Sequence, residues 1–161
     1  MQDRLIENLG FDWAHEPKNY TGAASTDKWF SLKRFQDLWW FIITGSWAGG
    51  TPAVTLAQAT VLAGTDTKAL AYGDAFYWTK VNTAGTAWTR TAIVSDTWNL
   101  SATGNSIYAV HATADSLDVA NNFVYATLKI ASPGANADFY GVIVIGSHPT
   151  FAQALVPSLT V

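Results

Sequence analysis

From Lys28 onward, the sequence is divided into short runs rich in β-branched and aromatic residues, each bounded by glycine, asparagine, aspartate or proline. Turn signals recur about every 8 to 12 residues, a spacing typical of antiparallel sandwiches and barrels. Helix signals are weak, and one short turn is expected within residues 113–119. The pattern predicts an all-β fold, an antiparallel β-sandwich with a jelly roll as the leading topology. The predicted strands are residues 28–33, 37–44, 53–61, 68–72, 76–81, 87–95, 106–113, 123–131 and 139–145.

Two of these runs, residues 38–43 and 142–145, are apolar at every position. Successive side chains of a strand point to opposite faces, so both faces of these strands are apolar. Such strands are expected at the centre of a sheet, covered on both sides by a second sheet, an arm or a subunit. Trp39 and Trp40 must then face opposite ways, and one of them belongs in the core.

The two ends differ from the middle. Residues 1–25 lack a sustained hydrophobic period, which predicts an irregular N-terminal arm. Residues 26–147 are predicted to form the β-sandwich domain. Residues 148–161 contain no Lys, Arg, Asp or Glu and are predicted to form an extended C-terminal tail. Large apolar groups in irregular termini need cover. The predicted contacts with other subunits are therefore Phe11, Trp13, Tyr20, Phe151, Leu155 and Val156.

Length and charge narrow the function classes. The 161 residues (17.4 kDa) suit a single domain, and the absence of cysteine removes disulfides, thiolate metal sites and thiol nucleophiles. The formal charge of -3, without a basic block, argues against nucleic acid as a partner. No apolar run approaches the roughly 20 residues of a membrane-spanning helix, and the first residues lack the apolar segment of an export signal. We expect neither a membrane partner nor export.

Residues able to perform chemistry are scattered. His111, Asp115 and Asp118 could converge on a metal, but a loop of solvated carboxylates is the preferred interpretation. No Gly-x-Ser-x-Gly elbow occurs, and residues 63–68 fit a hairpin turn better than a phosphate loop. We therefore predict no catalytic residues, no metal site and no cofactor, and a protein that is not an enzyme.

Aromatic content is the compositional outlier, with eight tryptophans and 14% aromatic residues. Core packing is the first explanation, and it applies to one of Trp39 and Trp40. A second explanation is a surface role, in subunit contacts or in flat platforms that stack on sugars. The candidates for that role are Trp13, Trp47, Trp78, Trp88 and Trp98.

Several segments share a pattern of turns and strands. Residues 47–60 contain a Gly-rich turn followed by a strand that reads Val-Thr-Leu-Ala-Gln-Ala-Thr, and residues 63–70 contain a Gly-Thr turn followed by Lys-Ala-Leu. This pattern, together with residues 7–11, 115–123 and 147–154, resembles small proteins encoded near the capsid genes of tailed bacteriophages.

The resemblance implies a virion structural protein, in first place a capsid decoration or cement protein with a jelly-roll-like sandwich. It would be made in the bacterial cytoplasm, bind the major capsid protein at the outer capsid surface, and stabilise the assembled head. We expect a homo-oligomer, with a trimer favoured. The alternatives are a head-fibre or spike base or a tail component of the virion and, in another class, a carbohydrate-binding module.

Overall fold

The computed structural model describes residues 9–70, 76–81, 87–101 and 105–149. Within these ranges the chain is almost entirely β, with two antiparallel sheets and two 3₁₀ turns, Ala114–Ser116 and Val119–Asn121. The described strands are β1 (Gly10–Tyr20), β2 (Phe30–Ser31), β3 (Phe35–Thr44), β4 (Ala53–Ala59), β5 (Thr67–Ala69), β6 (Phe76–Val81), β7 (Thr89–Ala92), β8 (Thr97–Asn99), β9 (Ser106–Thr113), β10 (Tyr125–Ile130) and β11 (Asp138–Pro149).

The strand order is that of a jelly roll. The first sheet runs β1-β11-β3-β9-β6-β7 and the second β2-β10-β4-β5, with β8 also paired to β4. When β6, β7 and β8 are set aside, the pairs are nested: β1 with β11, β2 with β10, β3 with β9, and β4 with β5. Successive pairs alternate between the two sheets, as in a long hairpin folded over itself. The predicted all-β sandwich with jelly-roll-like topology is confirmed.

The three remaining strands lie between β5 and β9 in the chain. β6 pairs with β9 and β7 with β6, so this hairpin widens the first sheet. β8 follows it and pairs with the first three residues of β4 in the second sheet. The insertion therefore contributes to both layers on one side of the sandwich.

Every second side chain of the central strands points between the two sheets, and together these side chains form the core. On β3 every second residue from Leu38 to Ile42 is fully buried, including Trp40. These side chains share one apolar cluster with Val54 and Leu56 of β4. The members of the cluster come from both sheets, so one core holds the two layers together.

The predicted irregular arm is wrong over Gly10–Tyr20, which form strand β1 along β11. The register shifts twice, between Trp13 and His15 and between His15 and Lys18. Such bulges break the two-residue period by which a strand is recognised in sequence. Pro17, which has no N–H to donate, is tolerated because β1 is an edge strand.

Other boundaries also shift. β11 runs on to Pro149, so the first two residues of the predicted tail are strand, and residues 150–161 lie outside the described part of the chain. β8 is a strand that the sequence pattern did not predict. The turn predicted within residues 63–68 is confirmed: Gly64 lies there with φ +65°, and a Cβ at this position would collide with the Trp29 indole.

His15 joins the two sheets. It sits in the irregular part of β1, is buried, and its Nε2–H donates a hydrogen bond of 2.9 Å to the carbonyl of Leu128 on β10. Burial lowers the pKa of His15 below its usual value, although the Leu128 carbonyl and the charge of Asp27 oppose that shift. The folded protein therefore holds this ring neutral.

We predict a large difference between two neighbouring tryptophans. Trp40→Ala should lower the free energy of unfolding by about 3 to 5 kcal/mol, because it empties a fully buried site. Trp39→Ala, on the opposite face of the same strand, should cost less than half as much. Urea denaturation of both variants measures this, and equal losses would contradict the assignment of the two faces.

We also predict that acid destabilises the fold through His15. The unfolded chain takes up a proton near pH 6.5 and the folded chain resists it, so the free energy of unfolding should fall as pH drops below about 6.5. The His15→Gln variant keeps an N–H donor but cannot titrate. Its free energy of unfolding should therefore fall less steeply between pH 7 and 5 than that of the unchanged protein. Denaturation at several pH values measures both slopes; an unchanged slope in the variant would rule out this role.

Candidate interaction surface

The side of the first sheet that faces away from the core is apolar. On β3, Trp39, Phe41 and Ile43 alternate with the buried residues and so point away from the second sheet. Neighbouring strands place more apolar side chains beside them. We call this set the outer face: Phe11, Trp13, Trp39, Phe41, Ile43, Trp78, Ile107, His111, Ile143 and Ile145.

The strand register arranges the outer face in rows across the sheet. One row runs from Phe11 on β1 through Ile145 and Trp39 to His111 on β9. The next runs from Trp13 through Ile143 and Phe41 to Ala109 and then Trp78 on β6. Each row crosses at least four strands, so the apolar residues form one continuous surface.

This surface lies outside the core. Phe11, Trp13 and Ile43 are 47%, 45% and 42% exposed, and the other members are half-buried by their neighbours in the sheet. No member of the outer face belongs to either of the buried clusters found among the described residues. The outer face therefore presents large apolar groups that the core does not use.

Stacked rings occupy its centre. The ring of Trp39 lies 4.6 Å from that of His111 at 15°, and 5.6 Å from that of Trp78. Phe41 completes the group, 6.4 Å from Trp39. Partial burial lowers the pKa of His111, against the opposing charge of Asp37. Both nitrogens of the imidazole are therefore uncharged at neutral pH, and the centre of the face is apolar and without charge.

Charged groups lie at its margin. Asp37 lies on β3, two residues before Trp39, and its Oδ2 is 2.7 Å from Nδ1 of His148. Lys80 follows Trp78 on the same face of β6, and Arg90 is the partner of Trp78 on β7. An apolar aromatic centre with a polar margin is the usual anatomy of a protein interface.

The sequence analysis considered His111, Asp115 and Asp118 as a metal site. No group of three or more His, Asp or Glu side chains among them could hold a metal ion. Two members of the trio considered from sequence are engaged elsewhere: His111 stacks on Trp39, and Asp118 pairs with Lys68. In the described ranges, no helix is long and apolar enough to cross a bilayer.

The six predicted interface residues have different positions. Phe11 and Trp13 lie exposed on the outer face, where their interface role stays a prediction. Tyr20 is corrected to a core residue: it is 6% exposed and stacks on Tyr140 at 4.1 Å, so its own chain covers it. Phe151, Leu155 and Val156 lie outside the described residues.

The predicted surface tryptophans also divide. Trp78 and Trp13 belong to the outer face, and Trp88 is exposed elsewhere. Trp98 is buried, and Trp47 is half-buried with its indole N–H donating to the Gly50 carbonyl at 2.7 Å.

The sequence analysis did not propose most of the outer face as a site. The residues that it missed are Trp39, Phe41, Ile43, Ile107, His111, Ile143 and Ile145. The signal was present in the two runs that are apolar at every position. The strand order was needed to bring them together.

Comparison with known proteins places the chain in no family. No family model matches it, and no curated protein matches it. Among solved structures it is similar to the SPBc2 prophage-derived protein YomS, with a TM-score of 0.45 and 11% identity over 88% of this chain and 94% of that one. We take neither fold nor function from a likeness of that size.

Proposed function

We propose that this chain is a non-enzymatic structural protein of a bacteriophage virion, and that it attaches through the outer face to the major capsid protein of the assembled head. The observation that carries the proposal is the continuous, half-exposed aromatic surface on the first sheet. The partner is proposed from the resemblance of residues 47–60 and 63–70 to small proteins encoded near phage capsid genes.

The composition of the outer face favours a protein partner. Between its aromatic rings lie the aliphatic side chains of Ile43, Ile143 and Ile145, which offer a sugar or a nucleic acid no hydrogen bonds. Sugar and nucleic-acid sites need donors and acceptors or positive charge among the rings, whereas Lys80 and Arg90 lie at the margin of the outer face. An apolar protein surface needs neither, because burial of apolar area provides the free energy.

The outer face is large enough to form most of one partner's side of a specific protein interface. The members of the outer face lie on five strands, each about 4.8 Å wide, so the face is about 24 Å across. The side chains at positions 39, 41 and 43 of β3, about 6.7 Å apart, cover about 20 Å along that strand. The projected area is about 500 Å², against roughly 800 Å² of accessible surface buried by each partner in a standard interface. The rim residues Asp37, Lys80 and Arg90 would supply part of the remainder.

The function follows from binding alone. A protein that binds the assembled shell and not its separated subunits lowers the free energy of the shell by linkage, as a ligand stabilises a native state. A rigid sandwich with one apolar binding face is sufficient to stabilise the shell in this way. The trimer expected from the resemblance would then assemble through other surfaces of the chain.

We predict the copy number of the chain in purified particles. Attachment across the shell requires an amount equal to that of the major capsid protein, or a simple fraction of it, because every equivalent site is filled. Quantitative mass spectrometry of purified virions measures this ratio. A few copies per particle would indicate a fibre base, spike or tail component, and absence would contradict a virion role.

We predict that one charge at the centre of the outer face strongly weakens attachment. Phe41→Glu places an unpaired carboxylate at the centre of the proposed interface and should weaken binding to particles lacking the chain at least 100-fold, about 2.7 kcal/mol. Co-sedimentation of added protein with such particles measures this.

The matched control is Thr55→Glu. Thr55 lies on β4 between the buried Val54 and Leu56, so it faces outward on the second sheet. This control should bind as the unchanged protein does, and both variants should show the same circular dichroism spectrum. Equal binding by Phe41→Glu and the control would rule out the outer face as the attachment surface.

A further inference from the structure

A cavity of about 540 Å³ opens where the inserted strands meet the jelly roll. Its walls come from β6, β7 and β9 of the first sheet and from β8 of the second. It is separate from the outer face, because Tyr77 and Thr79 alternate on β6 with Trp78 and Lys80 and so point to the opposite side of the sheet. The described lining residues are Tyr77, Thr79, Val81, Ala87, Thr89, Asn99, Ser101 and Tyr108.

The lining combines hydroxyl and amide groups with apolar surface, and its described residues carry no charge. Among its described residues no side chain is ionic, while five carry hydroxyl groups and one carries an amide. A charged ligand such as a phosphate would find no counter-charge in this lining, and a purely apolar ligand would strip water from the hydroxyls without replacing their hydrogen bonds. A neutral ligand that is itself rich in hydroxyl groups needs no counter-charge and can replace the hydrogen bonds that the lining hydroxyls lose with water.

A fixed aromatic ring is part of the wall. Tyr77 is half-buried and stacks on Trp98 with centroids 4.1 Å apart and an angle of 9°. Trp98 is in turn packed against Tyr108, at 5.5 Å. A ring held in place from behind can bind the apolar face of a pyranose at little entropic cost.

One polar group of the wall is also held in place. The Tyr108 hydroxyl accepts a hydrogen bond of 3.0 Å from the backbone N–H of Ser101. Burial raises the pKa of Tyr108, although hydrogen bonds with Ser101 and Ser106 oppose that shift, so the hydroxyl stays neutral. Thr79, Thr89 and Asn99 offer both donors and acceptors around the same space.

We propose that this cavity, which we call the insertion cavity, is a binding site for a neutral saccharide of one or two sugar units. Its volume lies within the roughly 300 to 1,000 Å³ usual for small-ligand sites. Tyr77 would stack on the sugar ring, and Asn99 and Thr79 would hydrogen-bond its hydroxyls. This activity is independent of the outer face, so either proposal can fail without the other.

The test uses the full chain and a set of named probes. Trp98, behind Tyr77, is a reporter whose indole N–H signal in a ¹H–¹⁵N spectrum can be assigned with Trp98→Phe. Glucose, galactose, N-acetylglucosamine, maltose and cellobiose are titrated to about 50 mM, since the affinity of a small neutral ligand can lie near millimolar. Adenosine monophosphate and toluene serve as the charged and the apolar probe.

We expect at least one saccharide to shift the Trp98 signal saturably. Asn99→Ala and Thr79→Val should weaken that saccharide about 10-fold or more, because each removes a hydrogen-bonding group from the cavity wall. Trp13→Ala, on the outer face, should leave the affinity unchanged.

Three results would overturn the proposal. They are the absence of a saturable shift with every saccharide, a shift that survives both cavity substitutions, and a saturable shift of Trp98 by adenosine monophosphate or toluene alone. Both cavity variants alter exposed or half-buried residues, and unchanged thermal unfolding would show that loss of binding is not loss of the fold.

Discussion

Strand β3 has large apolar side chains on both of its faces, so the contact between the two sheets can bury only half of it. The inward half, with Trp40 at its centre, anchors the core. The outward half, with Trp39, Phe41 and Ile43, shares the first sheet with equally apolar neighbours on β11 and β1. Both the stability of the fold and the proposed interface therefore follow from one ten-residue strand.

The insertion between β5 and β9 extends what a bare jelly roll would provide. One face of β6 adds Trp78 to the outer face, and its other face adds Tyr77 to the insertion cavity. Successive side chains of a strand point to opposite faces of the sheet, so a single hairpin can contribute residues to two separate surfaces. The Trp98 ring on β8 fixes the hairpin against the second layer through its stack on Tyr77.

The sequence predicts the parts of this structure that depend on local pattern. The all-β class, most strands and the hairpin turn at Gly64 follow from alternation and turn residues. β1 was not predicted because two register shifts and Pro17 erase its period, and three-residue β8 is too short to show one. The candidate surface depends on strand order: Trp39 and Trp78 are 39 residues apart in sequence yet 5.6 Å apart as rings. The composition indicates more aromatic residues than a core of this size needs, but only the strand register shows that they lie together on one face of the sheet.

A reconstruction of the intact particle by electron cryomicroscopy would test the central claim most directly, because it shows which side of the sandwich meets a neighbouring chain. The account predicts that the rings of Trp39, Phe41 and Trp78 lie against an apolar surface of the major capsid protein. A particle in which the chain is bound with these rings open to solvent, and the second sheet against the shell, would contradict it.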